Sequence, residues 1–149
     1  MSKLSGIFAR IFMMIEFNYE LDFELSKEAD YSTWIEKVIL GYEFKLGELN
    51  YIFCDDAYLL KLNVEFLDHD TLTDIISFDY TMGEIVGGDI FISLERVKEN
   101  AQEFSVSIEE ELKRVMIHGV LHYMGYKDKT KEEKEEMRSQ ENIAVRLFK

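Results

Sequence analysis

Two histidines one helical turn apart, His118 and His122, carry the clearest chemistry in the chain. Arg114 precedes them, and Gly125, Tyr126, Lys127 and Asp128 follow. Residues four apart stack on one helix face with about 5 to 6 Å between Cβ atoms. Both imidazoles can therefore point at one metal ion, which as zinc would take them at roughly 2.0 to 2.1 Å and ask for further ligands. Gly125 falls just past the last apolar helical residue, where a left-handed C-terminal position suits glycine. A reversal there folds the chain back over the helix end and lets Asp128 supply a third ligand. The competing reading is an amphipathic helix with two unliganded histidines. Against it stand the apolar neighbours Leu112, Val115, Met116, Ile117, Val120, Leu121 and Met124. Imidazoles buried among these need partners.

Counting back in fours from His122 gives His118, Arg114 and Glu110 on one stripe of a helix that is apolar elsewhere. Such a helix is buried, so its polar stripe lines a cleft. Arg114 has two open readings: a contact for an anionic substrate group, or an i, i+4 ion pair with Glu110. Between the histidines stands Gly119. Zinc peptidases carry a Glu general base at that position, so peptide hydrolysis by that route is disfavoured. The missing side chain leaves room for close packing or for substrate.

The elements that must position these residues follow from periodicity. Residues 15–21 alternate apolar and polar as in a half-buried strand, and 49–54, 75–80 and 89–92 read as three more, the last preceded by Gly87 and Gly88. Thr33 with Glu36 reads as a capping box opening a helix to about Lys45. Asp55 caps a helix with Tyr58, Leu59, Leu62 and Phe66 on one face. Ser93 starts a helix to about Phe104. Ser107 with Glu110 and Thr130 with Glu133 read as two further capping boxes, opening the histidine helix and a terminal helix whose Met137, Ile143, Val145 and Leu147 supply apolar contacts. The expected fold is α/β, a single domain with a mixed four-stranded sheet packed with about five helices and the metal site at the end of a buried helix.

Composition sets the outer bounds. A chain of 149 residues, 47% hydrophobic and 13% aromatic, makes one globular domain without proline, repeat or linker. The single cysteine, Cys54, excludes an intrachain disulfide, fits a reducing cytoplasm and ends an apolar strand. No apolar stretch reaches the roughly 20 residues of a membrane span. Residues 1–13 make a poor signal peptide; they read as an N-terminal extension, with Met14 an alternative start and 14–149 the domain. The net charge of −13 speaks against nucleic acid. Its distribution is uneven, however, since Lys113, Arg114, Lys127, Lys129 and Lys131 face only Asp128 within 112–131. Two readings stand: a basic, metal-bearing cleft on an acidic body that draws in a polyanion, or a solvated lysine-rich helix start.

With these segments laid out, the chain from Met14 on resembles the YbeY family of bacterial rRNA-maturation endoribonucleases. The resemblance is carried by Leu62-Asn63, by Thr73-Asp74 and Ser77-Phe78, by Gly88-Asp89-Ile90, and by His118-Gly119, Leu121-His122 and Gly125-Tyr126. It implies a metal-dependent endoribonuclease selective for single-stranded RNA, acting in 3′-end maturation of 16S rRNA and in ribosome quality control. It further implies a zinc ion, the small ribosomal subunit and assembly factors as partners, and a cleft lined by Asn63, Thr73, Asp74, Ser77 and Asp89. Two departures stand out. The family motif ends in a histidine that is the third zinc ligand, and that position here is Asp128. A carboxylate there weakens the metal as a Lewis acid and shifts preference toward harder divalent ions. An arginine that family members carry after Leu-Asn is replaced by Leu67, which leaves Arg114 or Lys127 to meet the phosphate.

The implied chemistry is phosphodiester hydrolysis at an ion held by His118, His122 and Asp128. Asp74 and Asp89 are candidates for the general base, whereas Thr73 and Ser77 satisfy backbone near the cleft. His69, between Asp68 and Asp70, reads as an exposed loop residue. The alternative is a non-catalytic ribosome-assembly factor whose metal pins the last helix to the one before it.

Overall fold

In the computed structural model, residues 15–67 and 73–149 are described. The sheet is built on two central strands, β2 (Lys45–Cys54) and β4 (Ile85–Ser93), which pair in parallel. Strand β1 (Ile15–Tyr19) adds in parallel to β2, and β3 (Ile75–Asp79) adds antiparallel to β4, giving the order β1-β2-β4-β3. A parallel pair cannot be joined by a tight turn. The helices α1 (Glu28–Gly41) and α2 (Asp56–Leu62) accordingly lie between strands in the chain, while β3 and β4 follow each other directly. Three further helices close the domain: α3 (Leu94–Glu103), α4 (Ile108–Tyr123) and α5 (Lys131–Arg146). The mixed four-stranded sheet with five helices is the architecture expected from the sequence.

Period-two alternation decides which face is the core. Leu49, Tyr51 and Phe53 of β2 and Val86, Ile90 and Ile92 of β4 are fully buried and meet Met116, Ile117, Val120 and Leu121 of α4. The fit of α4 against the sheet bears on two glycines. A Cβ at Gly119 would stand 2.9 Å from Ile90 Cδ1 and 3.2 Å from Ile75 Cδ1, so the helix sits here against the ends of two isoleucines that would have to shift for a larger residue. A Cβ at Gly88 would stand 2.6 Å from the Tyr123 hydroxyl, which donates to the carbonyls of Phe78 and Asp89 at 2.9 and 3.1 Å. Gly87 and Gly88 thus lie inside β4 rather than before it. The other face carries a smaller cluster of Cys54, Leu59 and Ile76. There Cys54 is wholly buried, and burial pushes its thiol up to about 12.

Several boundaries depart from the sequence expectation. Helix α1 starts at Glu28, not Thr33, because its buried stripe begins at Tyr31 and its N-cap, Lys27, sits at φ 62 without a side-chain cap. It stops at Gly41 because Glu43 takes the left-handed position (φ 66) while Phe44 N–H reaches back to Ile39 O at 3.2 Å. Lys45 therefore belongs to β2. Asp55 does cap α2, accepting from Tyr58 N–H at 2.9 Å. Only Leu59 of its four expected face residues is buried, since the chain passes at Asn63 into one π-helical turn, Asn63–Leu67, that turns Phe66 outward. Ser107 caps α4, but the expected reciprocal bond is missing because the Glu110 carboxylate turns instead toward Arg114, at 3.8 Å. The capping box of α5 is complete. Its buried contacts are Met137 and Ala144, whereas Ile143 and Leu147 are exposed. The 1–13 extension and His69 with its flanking aspartates lie outside the described residues.

Candidate metal centre

Helix α4 delivers the histidines, and its ending delivers the carboxylate. Gly125 (φ 103) donates its N–H to His122 O at 3.0 Å, and Tyr126 N–H reaches Leu121 O at 3.1 Å. This paired arrangement is the left-handed C-terminal motif that satisfies the last helical carbonyls. It reverses the chain so that Asp128 returns over the helix. Asp128 Oδ2 then lies 3.2 Å from His118 Nε2 and 3.1 Å from His122 Nε2, and the two Nε2 atoms are 3.0 Å apart. Ligand arms of 2.0 to 2.2 Å at tetrahedral angles separate donors by about 3.4 Å. The triangle is therefore the size that one cation draws together, and the carbonyl end of a helix favours positive charge.

A fourth residue orients the first. His118 Nδ1–H donates to Glu141 Oε2 of α5 at 2.6 Å. A carboxylate only accepts, so the proton sits on Nδ1 and the Nε2 lone pair faces the other two donors. Burial disfavours the charged imidazole, yet the Glu141 bond and charge, with Asp128 and Asp74 behind them, outweigh it and raise His118 above the usual histidine range. A cation at Nε2 satisfies the same excess of negative charge. Two imidazole nitrogens, one carboxylate oxygen and a carboxylate behind one imidazole make a donor set that fits a divalent ion, and the cluster could hold one.

The three donors open onto a cavity of about 560 Å³. Thr73, Asp74 and Ser77 line it from the β3 side and Arg114 from α4. Thr73 Oγ1 donates to Ile75 O at 3.2 Å, so its hydroxyl is engaged by backbone. Asp74, whose carboxyl burial pushes above the ordinary range, receives Asn100 Nδ2–H at 3.4 Å. The other expected lining residues lie elsewhere. Strand alternation turns Asp89 to the opposite face of the sheet, where it accepts from Asn50 at 2.9 Å and Tyr80 at 3.3 Å. Asn63 is buried at the start of the π turn, outside the cavity lining. Lys127 is exposed and lies outside the lining as well, near Glu133.

Among the lining residues that escaped the sequence reading are two buried carboxylates. Glu111 is buried, and burial, with Asp74 next in weight, raises its carboxyl. Counting back in fours selected Glu110, but at 100° per residue Glu111 lies only ~20° from the direction of His118 and Glu110 ~80°. Glu141 was legible as a charge within the Met137, Glu141, Ala144 stripe that α5 buries. These additions change the electrostatics. The charged lining comprises Asp74, Glu111, Asp128 and Glu141 against Arg114 and Arg138, so carboxylates outnumber cations and, of the two readings of the local charge, the lining does not favour the basic cleft. Lys113 points away, with Nζ 3.8 Å from the Phe148 ring centre, and Lys129 and Lys131 lie outside the lining.

Comparison with known proteins follows the same outline. The model of the family described as Endoribonuclease YbeY matches residues 16–149. A protein named Endoribonuclease YbeY from Flavobacterium psychrophilum is 59% identical, with 91% of this chain and 96% of the relative covered. Its namesake from Flavobacterium johnsoniae is 58% identical over 91% of this chain and 97% of its own length. A solution structure of a Thermotoga maritima protein superposes with a TM-score of 0.62 at 27% identity, covering 90% of this chain and 88% of that one. Sequence likeness at this level, spread over nearly all of the domain that forms the cleft, means that the chain belongs to the endoribonuclease YbeY family.

Proposed function

We propose that this protein is a divalent-metal-dependent endoribonuclease that cuts single-stranded RNA, with zinc as its ion and the 3′ end of the 16S rRNA precursor as its target. It works in the cytoplasm on the small ribosomal subunit, beside assembly factors and in ribosome quality control. The observation that carries the reading is the convergence of His118, His122 and Asp128 within 3.2 Å of one another at the wall of an open cavity.

His118, His122 and Asp128 would hold a divalent ion, which when bound would supply Lewis acidity toward a phosphoryl oxygen and make water more acidic. The chain's own residues do the rest. Glu141 fixes the His118 ring and its tautomer. Arg114 is locked by Asn142 Oδ1 at 2.8 Å and Glu141 at 3.4 Å, so its guanidinium presents a rigid positive edge to the cleft. Asp74 and Glu111, both raised by burial, are the carboxyls positioned to hold or move a proton. Peptide hydrolysis through a Glu at position 119 has no room, because Gly119 is pressed against Ile90.

A non-catalytic assembly role is the second reading, favoured by Leu67 in the place of a family arginine and by the carboxylate-rich lining. One set of proteins separates the two. Nuclease-free wild type is expected to cleave single-stranded RNA, with activity lost on chelation and in His118→Ala. Asp128→Ala is expected to lose bound metal while Lys129→Ala keeps it. Equal digestion by wild type and His118→Ala would remove the enzymatic reading; equal metal content in the two position-128 and position-129 variants would remove Asp128 as ligand.

A further inference from the structure

At the mouth of the cleft stands a pair that the hydrolytic chemistry leaves unused. Phe104 follows α3 with half its surface exposed and lines the cleft. Its backbone is held firmly. Phe104 N–H reaches Asn100 O at 2.9 Å, Ser105 takes the left-handed conformation (φ 58), and Val106 N–H closes the turn on Ala101 O at 3.0 Å. Across the mouth, Arg138 of α5 lies with Cζ 5.9 Å from the Phe104 ring centre. That is a cation–π contact near the far end of its range, so the guanidinium lies over one face of the ring and holds it only weakly. Among the described residues its one ion pair is a 3.5 Å contact to Glu141, and its side chain is 51% exposed. Arg114, by contrast, is 12% exposed and already shared among Glu110, Glu141 and Asn142. Arg138 is therefore the lining cation with donors to spare.

An exposed, rigidly mounted aromatic beside an underused guanidinium is what a single nucleotide requires: a π face for its base and a cation for its phosphate. We propose that Phe104 and Arg138 form a nucleotide subsite in which the ring stacks on the base of a nucleotide flanking the scissile phosphate and the guanidinium pairs with that nucleotide's phosphate. The subsite rests on the endoribonuclease reading and gives it a source of strand selectivity. A base within a duplex is stacked on both faces and cannot reach the ring, whereas an unpaired base can be splayed onto it. Stacking reads no base edge, so the preference is for single strands and not for a sequence.

The test is a binding cycle on the full-length, metal-loaded protein. The probe is a fluorescent single-stranded 2′-O-methyl oligoribonucleotide, set against the same oligomer with abasic residues. Phe104→Ala is expected to weaken binding of the base-bearing strand by about tenfold and to leave the abasic strand unaffected, with Phe104→Trp restoring affinity. Arg138→Gln is expected to weaken both and to reduce the slope of log affinity against log salt by about 0.7, the share of one single-strand phosphate. The subsite is overturned if Phe104→Ala binds like wild type, if it loses equally on both strands, or if wild type binds neither. Cleavage separates this from the parent reading. Wild type cutting RNA no faster than His118→Ala removes the nuclease itself, whereas a persistent difference with no Phe104 effect removes only the subsite.

Discussion

At the scale of single residues, the site is a histidine pair whose usefulness depends on neighbours that hold it. Glu141 accepts the Nδ1 proton of His118 at 2.6 Å and so aims Nε2 at Asp128 and His122. Glu141→Gln keeps the shape but removes the charge that raises the basicity of the imidazole. It is expected to weaken metal affinity about 10- to 100-fold, the range for a partner behind a ligating histidine, as read by competition with a chromogenic chelator. Unchanged affinity would mean that the ring is oriented by packing alone. Gly119 illustrates a different constraint. With Ile90 Cδ1 only 2.9 Å from a virtual Cβ, Gly119→Ala makes the ends of the Ile90 and Ile75 side chains give way. An overpacking cost at the low end of about 1–3 kcal/mol is expected in urea unfolding, and metal affinity measured on the same variant reads whether the helix carrying both ligands has moved.

At the scale of elements, the decisive feature is how helices end. In a chain without proline, α1, α3 and α4 each stop by the same reversal, with Glu43, Ser105 and Gly125 in the left-handed position. The last of these has φ 103, outside the range that side chains adopt readily. Gly125→Ala finds open space for its Cβ, so any penalty is conformational. It is expected to cost about 1–2 kcal/mol of stability and to lower metal affinity by displacing Asp128, with Gly125→Asn milder than Gly125→Ala. A metal affinity untouched by Gly125→Ala would uncouple the turn from the carboxylate. The other reversals hold parts of the cleft and core: that after α3 sets Phe104 at the mouth, and that after α1 turns the chain into β2.

At the scale of the molecule, the proposed function makes charge set the order of binding. An overall charge of −13 and four carboxylates in the cleft lining oppose a polyanion, and two arginines do not cancel them. A dication held by His118, His122 and Asp128 would offset this negative charge. Binding of a non-cleavable RNA strand should therefore fall steeply, by tenfold or more, when the protein is treated with chelator, and it should recover on adding zinc. Circular dichroism recorded in parallel would show whether the helices persist. RNA affinity that survives metal removal would place the binding surface outside the cleft.

Much was legible in the residues alone, because it depends on local periodicity. The alternation of β1, the caps of Asp55, Ser93 and Thr130, and the four-residue histidine spacing are short-range facts that chain geometry turns directly into elements. Gly125 likewise announced a reversal, since few residues other than glycine accept that conformation. Tertiary structure decided what depends on which surfaces meet. It set Glu141 behind His118 from a helix 23 residues away, turned Asp89 to the far side of the sheet, buried Glu111 instead of Glu110, and left the lysines outside the cleft. The physical reason is range: hydrogen bonding and sterics along a helix or strand act within a few residues, whereas the environment of a charge is made by whatever other elements the packing brings against it.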